Sequence, residues 1–353
     1  MESPYAHESF LVQILTKAVA AKASDVHLKV GQPPGARVRG GLVYFRSEPL
    51  RPEDTEHLAR HVIRDPALRE NIDRLTEHDC AYEAAGVGRF RVNVYRQKGS
   101  IAVIMRAIPL TIPTFEELGA PAAATQLAEK DRGLVLVVGA AGNGKSSTLA
   151  SMIGHLNRTQ PIHIVTIEDP VEFLHKDDKA SISQREIGID TGSFADALRA
   201  ALRQDPDVIL VGEIRDEITM EIALKAAETG HLVLSTLHTP DVQRTVGRML
   251  ALAPRGQSTD EMRERIADTL QGIIAQRLLP RKDAAGLALA AEVLVATGTI
   301  RETIKRPEAN PPLKDLIEKG VPPYGMQTFE MHLKQLVQQG VLDKEVAKAA
   351  AGF

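Results

Sequence analysis

The chain has 353 residues, including 43 lysines and arginines against 46 aspartates and glutamates, which leaves a formal net charge of −3. A chain of this length exceeds one typical domain, so two domains are expected. The near-balanced charge argues against a general nucleic-acid-binding protein, and the single cysteine, Cys80, excludes an internal disulfide and a cysteine-rich zinc site.

The first third of the chain predicts a small α+β domain over residues 1–109. Apolar residues at helical spacing predict an opening helix over 8–23, and a second helix is expected over 53–64. Short alternating stretches predict strands over 25–30, 36–39, 42–45, 80–83, 89–95 and 100–108. Turn residues Gly86, Gly88 and Gly99 separate the last three strands, which are therefore expected to form an antiparallel meander.

Three prolines, Pro109, Pro113 and Pro121, predict a linker over 110–121 and a second domain over 122–353. In that domain, apolar runs at 134–138, 162–167, 208–211 and 232–234 alternate with predicted helices at 146–156, 194–203 and 218–229. This alternation indicates a parallel sheet with helices on both faces. From about Arg255 the chain is predicted to be mostly helical, with amphipathic helices over 327–339 and 343–350.

The sequence shows no export signal, which favours a cytoplasmic protein. Residues 1–15 lack the basic start and cleavage site of a secretory signal. The longest apolar stretches, around 133–138 and 287–296, are much shorter than the roughly 20 residues that span a bilayer. Membrane association is therefore expected only through a partner.

The sequence GAAGNGKS at residues 139–146 matches the phosphate-binding pattern G-x-x-x-x-G-K-[ST] between a predicted strand and a predicted helix. Lys145 is expected to reach the β- and γ-phosphates of ATP, and Ser146 to supply a hydroxyl to Mg²⁺. Backbone N–H groups and the positive end of the helix complete the cradle. The predicted nucleotide-binding residues are Gly139, Ala140, Ala141, Gly142, Asn143, Gly144, Lys145, Ser146 and Ser147.

Acidic residues and a histidine follow the neighbouring predicted strands. Glu168 and Asp169 follow the run at 162–167, and Glu213 follows the run at 208–211. Ligands bind at the carboxyl ends of such strands, where one carboxylate could hold Mg²⁺ through water and another orient or deprotonate the attacking water. His238, just past the run at 232–234, could sense the γ-phosphate or hold water, whereas His231 is as well explained by a structural role.

These stretches, in this order, resemble the secretion ATPase superfamily, the hexameric motors of type IV pili and type II secretion. IEDPVE at 167–172 resembles its aspartate box and ILVGEIRD at 209–216 its atypical Walker B motif. AETGH at 227–231 and LHT at 237–239 resemble its histidine box, while ASDVHL at 23–28 and GRFRVN at 88–93 resemble its small N-terminal domain. The resemblance implies an α/β fold: a RecA-like P-loop ATPase core with a smaller N-terminal PAS-like α+β domain.

Within this superfamily, the sequence is most similar to the PilT-type retraction branch. It has no room for the extra N-terminal domain and lacks the four late cysteines of many assembly motors, while YGMQTFE at 324–330 and GTIRETI at 298–304 resemble the retraction branch. Thr299, Glu302 and Thr303 depart from that branch, as does the loop sequence AAGN at 140–143. The resemblance implies an ATP-hydrolysing homohexamer that powers pilus retraction at the cytoplasmic face of the inner membrane, attached through a platform protein.

The alternatives are an accessory PilU-like ring subunit acting beside a paralogous retraction ATPase, a low-turnover nucleotide-gated scaffold, and a pilus-assembly or type II secretion ATPase. A nucleic-acid translocase is disfavoured by the charge balance. Steady-state turnover would separate a motor from a scaffold.

The resemblance also assigns site roles. Glu213 is expected to be the general base, with Glu168 assisting or exchanging roles, and Asp169 near the metal; Ser146, Asp169 and Glu213 are the expected Mg²⁺ ligands, partly through water. Alternation places Arg89 and Arg91 on one face of the strand at 89–95, from which they could reach bound nucleotide. For Arg199 and Arg203, four residues apart on one helix, a solvated helix face is preferred over an inter-subunit contact.

Overall fold

The computed structural model describes residues 3–38, 40–109, 111–254, 256–284 and 286–351. The chain divides into two compact units between Thr111 and Ile112. Residues 112–121 of the predicted linker belong to the second unit, where Phe115 is buried. Arg39, at the end of a predicted strand, Leu110, at the start of the predicted linker, and Arg255 lie outside the described residues.

The first unit is a six-stranded antiparallel sheet in the order β3-β2-β1-β6-β5-β4, with helices packed against it. Its elements are α1 (Glu8–Ala20), β1 (Ala23–Lys29), β2 (Gly35–Val38), β3 (Gly41–Tyr44), α2 (Pro52–Val62), α3 (Pro66–Glu70), β4 (Glu77–Ala84), β5 (Gly88–Gln97) and β6 (Ser100–Ala107). The predicted meander is confirmed, because β5 pairs antiparallel with both β4 and β6.

Amphipathic patterns build the core of this unit. Leu11, Ile14, Leu15 and Ala18 form the buried stripe of α1, as the helical spacing predicts. On β5 the buried residues alternate with more exposed ones, beginning with buried Phe90. Side chains therefore leave β5 on two faces, one of which joins the core.

The second unit contains a seven-stranded sheet in the order β13-β12-β7-β11-β10-β8-β9. Its elements are α4 (Phe115–Leu118), α5 (Ala123–Ala128), β7 (Gly133–Val138), α6 (Lys145–Thr159), β8 (His163–Glu168), β9 (Ser181–Glu186), α7 (Phe194–Ala201), β10 (Val208–Val211), α8 (Glu217–Glu228), β11 (Leu232–Leu237), α9 (Val242–Ala251), α10 (Thr259–Thr269), β12 (Leu270–Pro280), β13 (Leu287–Val295), α11 (Gly298–Lys305), α12 (Leu313–Lys319), α13 (Phe329–Gln338) and α14 (Lys344–Ala351). All neighbouring strands run parallel except β13, which pairs antiparallel with β12.

Helices cover both faces of this sheet, as predicted. Leu134, Leu136 and Val138 of β7 join one apolar cluster, whereas Val135 and Val137 join a second cluster on the opposite face. The first cluster includes residues of α7, α8 and α10, and the second includes residues of α5 and α6. Every residue of β7 is buried, which explains its uninterrupted apolar sequence.

The prediction of a mostly helical segment after Arg255 was wrong in one respect, because this segment also supplies the β12–β13 hairpin. The strand β9 was not predicted either. The sequence of β13, LALAAEVLV, is apolar nearly throughout and rich in alanine, so its periodicity does not separate a buried strand from a buried helix. Pairing of β12 with β7 over Leu270 to Ala275 decides the outcome.

Candidate active site

Four parallel strands bring the predicted site residues of the second unit to one edge of the sheet. Val138 at the end of β7 is in register with Leu237 of β11, and Ile167 of β8 is in register with Val211 of β10. The loops that follow these strands therefore leave the sheet on the same side. This edge collects the glycine-rich loop, the acidic residues after β8 and β10, and His238 after β11.

The glycine-rich loop has a backbone that requires glycine at several points. Gly142 and Gly144 have φ angles of 80° and 77°, in the left-handed region. A Cβ atom at Gly139 would lie 2.6 Å from the carbonyl oxygen of Gln276. In the described chain no side chain caps the start of α6, so its first backbone N–H groups are available to phosphate oxygens.

Lys145 is buried at the base of this loop. Its Nζ donates hydrogen bonds of 3.0 Å to the carbonyl oxygens of Gly139 and Ala140. Burial lowers the pKa of Lys145, and the carboxylates of Glu213 and Glu172 partly oppose that shift. The ammonium group is thus held inside the curve of the loop, with two carbonyl partners that phosphate oxygens can replace.

The strand β12 supports the same loop from the side, a contact that the sequence did not predict. Asn143 Oδ1 accepts a 3.2 Å hydrogen bond from the backbone N–H of Leu278. Gln276 is fully buried, and its Nε2 donates a 2.7 Å hydrogen bond to the hydroxyl of Thr148 in α6. No local signal marks these partners, because they lie more than 120 residues from the loop in sequence.

Glu213 is the centre of a charged network at the sheet edge. Its carboxylate accepts a hydrogen bond from Arg215 and lies 3.3 Å from His238 Nε2. The other side of Arg215 lies 3.7 Å from the carboxylate of Asp169. Burial acts to raise the pKa of Glu213, but Arg215 and His238 together outweigh it and lower this pKa. Glu213 therefore stays ionised at neutral pH.

Glu168 has a different environment at the end of β8. Its Oε1 accepts hydrogen bonds from Thr166 Oγ1 at 2.7 Å and from Gln184 Nε2 at 3.2 Å. Burial raises the pKa of Glu168, and the hydrogen bonds oppose that shift without cancelling it. The two strand-end carboxylates thus have pKa values shifted in opposite directions, a pattern typical of acid and base partners.

The predicted magnesium ligands fit the ion chemically. Ser146 is exposed, the Asp169 side chain is 40% exposed, and Glu213 offers a carboxylate beside them at the same edge. Hydroxyl and carboxylate oxygens are the donors that Mg²⁺ prefers, and an open edge suits an ion that keeps water and phosphate ligands.

The structure separates the two histidines. His238 is exposed beside Glu213, whereas His231 precedes β11 at the opposite end of the strand. The Nδ1 atom of His231 lies 3.0 Å from the carbonyl oxygen of Ala226 and 3.3 Å from Thr229 Oγ1. His231 therefore ties down the end of α8, and only His238 belongs to the site.

The remaining predicted arginines belong to other elements. Arg89 and Arg91 are on β5 of the first unit, on the face opposite Phe90, and their contact with nucleotide stays a prediction. Arg199 pairs with Asp196 of its own helix at 3.1 Å, and Arg203 donates to the Arg199 carbonyl. These contacts favour the solvated helix face. Among the described residues, none of the helices combines the length and apolarity needed to cross a bilayer.

Comparison with known proteins finds relatives that match nearly the whole chain. Residues 90–311 match the family model described as type II/IV secretion system protein. In Pseudomonas aeruginosa, the type IV pilus retraction ATPase PilT is 39% identical over 97% of this chain and 98% of its own length. The type IV pilus ATPase PilU of the same organism is 38% identical over 96% and 88%, respectively. A crystal structure of the pilus retraction motor PilT with bound ADP is 43% identical, has a TM-score of 0.89 and covers 97% of both chains. This match confirms the predicted fold class, a RecA-like P-loop core with a smaller PAS-like N-terminal domain.

Proposed function

The chain belongs to the family of type II/IV secretion system proteins, and on this premise we propose that it is an ATP-hydrolysing motor that powers retraction of a type IV pilus. The observation that carries the proposal is the convergence of the phosphate-binding loop, Lys145, Glu213 and Glu168 on one edge of a parallel sheet. A protein that only binds nucleotide does not need two carboxylates with opposite pKa shifts beside the cradle.

The loop and the start of α6 bind the phosphates of ATP in this proposal. Lys145 exchanges the carbonyl oxygens of Gly139 and Ala140 for phosphate oxygens, which are stronger acceptors because they are charged. Ser146, Asp169 and Glu213 would hold Mg²⁺, partly through water, and the bound ion would supply positive charge to the phosphates.

The acidic residues then act on the attacking water. Glu213, which Arg215 and His238 keep ionised, orients the water as general base. Glu168 assists by taking up a proton, for which a raised pKa is suited. His238 reaches toward the γ-phosphate from the end of β11. Arg89 and Arg91 of the first unit add positive charge, so that closing the N-terminal domain, residues 1–109, over the core would couple hydrolysis to movement.

The proposed assembly is a homohexamer at the cytoplasmic face of the inner membrane, attached through the pilus platform protein. Closure of one subunit around ATP would displace the neighbouring subunit and so move a partner at the centre of the ring. The intact Lys145, Glu213 and Glu168 favour a motor that turns over ATP over a low-turnover scaffold. Similarity to PilT and to PilU is nearly equal, at 39% and 38% identity, so an accessory PilU-like role is the second candidate.

Phosphate release by the purified chain tests the chemical part of the proposal. We expect Glu213→Gln to lower kcat about 100-fold, because general base catalysis contributes at least that much, while ADP affinity stays within threefold. Glu217→Gln, in the first turn of α8, is the matched control and should keep the parental rate. Equal rates in the parent and Glu213→Gln would contradict the motor.

Deletion of the gene tests the biological part. Loss of a retraction motor should leave more surface pili and less twitching movement, and complementation with Glu213→Gln should not restore movement. Absence of pili after deletion would instead indicate an assembly motor. Partial loss of movement with a normal pilus count would favour the accessory role.

A further inference from the structure

Gln184 lies on β9, the strand that pairs with β8 at the edge of the sheet. Its register partner on β8 is Thr166, two residues before Glu168. Because side chains alternate along a strand, Thr166, Glu168 and Gln184 leave the sheet on the same face. The neighbouring strand thus presents an amide group beside the carboxylate that ends β8.

The amide group of Gln184 uses both of its donors and its acceptor. Nε2 donates to Glu168 Oε1 at 3.2 Å and to the carbonyl oxygen of Phe173 at 2.8 Å, while Oε1 accepts from the backbone N–H of His175 at 2.8 Å. A flipped amide would place its oxygen against two other acceptors and its nitrogen against a donor. The orientation of Gln184 is therefore fixed by its surroundings.

The same oxygen of Glu168 receives a second hydrogen bond, from Thr166 Oγ1 at 2.7 Å. Thr166 is 1% exposed, so water does not compete for this bond. With two fixed donors on Oε1, the carboxylate cannot turn without losing both bonds. The bonds from Gln184 to Phe173 and His175 also tie the loop that follows Glu168 to the same strand.

We propose that Gln184 and Thr166 are positioning residues that hold Glu168 in the orientation required for hydrolysis. This inference rests on the proposed ATPase function and on a role of Glu168 in it. The two residues touch neither nucleotide nor water in the reaction; they act through Glu168. Since a misplaced catalytic group slows chemistry more than it weakens binding, their loss lowers kcat and leaves nucleotide affinity unchanged.

The test compares ATP turnover and ADP affinity in four variants of the full chain. Thr166→Val and Gln184→Met each remove a hydrogen bond to Glu168 at nearly constant volume, and kcat should fall about tenfold with ADP Kd within twofold. Thr166→Ser keeps the hydroxyl and should stay within twofold of the parental kcat. Thr269→Val is the matched control, because among the described residues this buried hydroxyl bonds only carbonyl oxygens of its own helix, at the other end of the sheet.

In these four variants, three results would overturn the inference: parental kcat in Thr166→Val, an equal loss in Thr166→Ser, or a parallel loss of kcat and ADP affinity. Should Gln184→Met fail to fold, as judged by its melting curve, the Thr166 pair decides. Failure of the proposed function is a separate outcome, since it would appear as absent turnover in the parent. Turnover that survives Glu168→Gln would overturn the inference and leave the ATPase function standing.

Discussion

Replacing Lys145 by methionine separates ligand binding from folding at the phosphate loop. The substitution keeps an unbranched side chain of similar length in a position that is 9% exposed, but removes the ammonium group. This group bonds two carbonyl oxygens in a buried position, where desolvation disfavours its charge and lowers its pKa. Its loss should therefore cost little in stability and much in affinity.

The size of the affinity loss follows from the bonds exchanged on binding. Two hydrogen bonds to phosphate oxygens contribute about 3–6 kcal/mol, and the two carbonyl bonds given up cost about 2 kcal/mol. The difference centres near 2.5 kcal/mol, or roughly a 70-fold weaker Kd for nucleotide. The free energy of unfolding should change by less than about 1 kcal/mol, because the loss of the two ammonium–carbonyl bonds is offset by relief of the buried charge.

Titration of the purified proteins with a fluorescent ADP analogue measures the first quantity, and thermal melting without nucleotide measures the second. Lys225→Met, at an exposed position of α8, is the matched control and should bind as the parent does. A Lys145→Met chain that binds ADP within threefold of the parent while remaining folded would refute this account of the loop.

Three further predictions follow from local geometry. Gly139→Ala brings a Cβ to 2.6 Å from the Gln276 carbonyl oxygen. This substitution should lower Tm by about 4 °C and weaken ADP binding at least tenfold. The control Gly192→Ala, with no described atom within 4 Å of its Cβ, should match the parent in both measurements. Arg215→Ala removes a cation that pairs with two of the proposed magnesium ligands, so half-maximal turnover should need a two- to fivefold lower Mg²⁺ concentration, measured by metal titration; an unchanged requirement would count against Arg215 as a competitor. Burial lowers the pKa of His175 from 6.5 to about 4. As pH drops to 5, the unfolded chain therefore binds a proton at His175 that the folded chain does not bind, and the free energy of unfolding falls by about 2 kcal/mol. His175→Leu should reduce the loss of Tm between pH 7.5 and pH 5.

Elements with strong local signals could be predicted from the sequence. The strand β10 was predicted with its observed bounds, Val208–Val211, because a short apolar β-branched run lies between polar turns. The phosphate loop was predicted because its glycines, Lys145 and Ser146 stand in a fixed order between a strand and a helix. In both cases the residues that determine the local structure lie within a few consecutive positions.

Features that depend on distant partners could not be predicted in this way. The hairpin of β12 and β13 is stabilised by pairing of β12 with β7, about 135 residues earlier, and the alanine-rich sequence of β13 does not exclude a helix. The support of Asn143 by Leu278 depends on the same pairing. Gln184 likewise acquires its role only once β9 lies beside β8.

The two strand-end glutamates show why position in the sequence alone does not assign their roles. Glu168 and Glu213 follow neighbouring parallel strands, and by sequence each could be the base. Arg215, two residues past Glu213, and His238 lower the pKa of Glu213, whereas Glu168 has two uncharged side-chain donors on one oxygen and burial dominates. Because neutral donors orient a carboxylate without cancelling its desolvation, the pKa of Glu168 stays raised, whereas the pKa of Glu213 is lowered by its cationic neighbours. This difference supports the proposal that Glu213 is the general base and that Glu168 assists it.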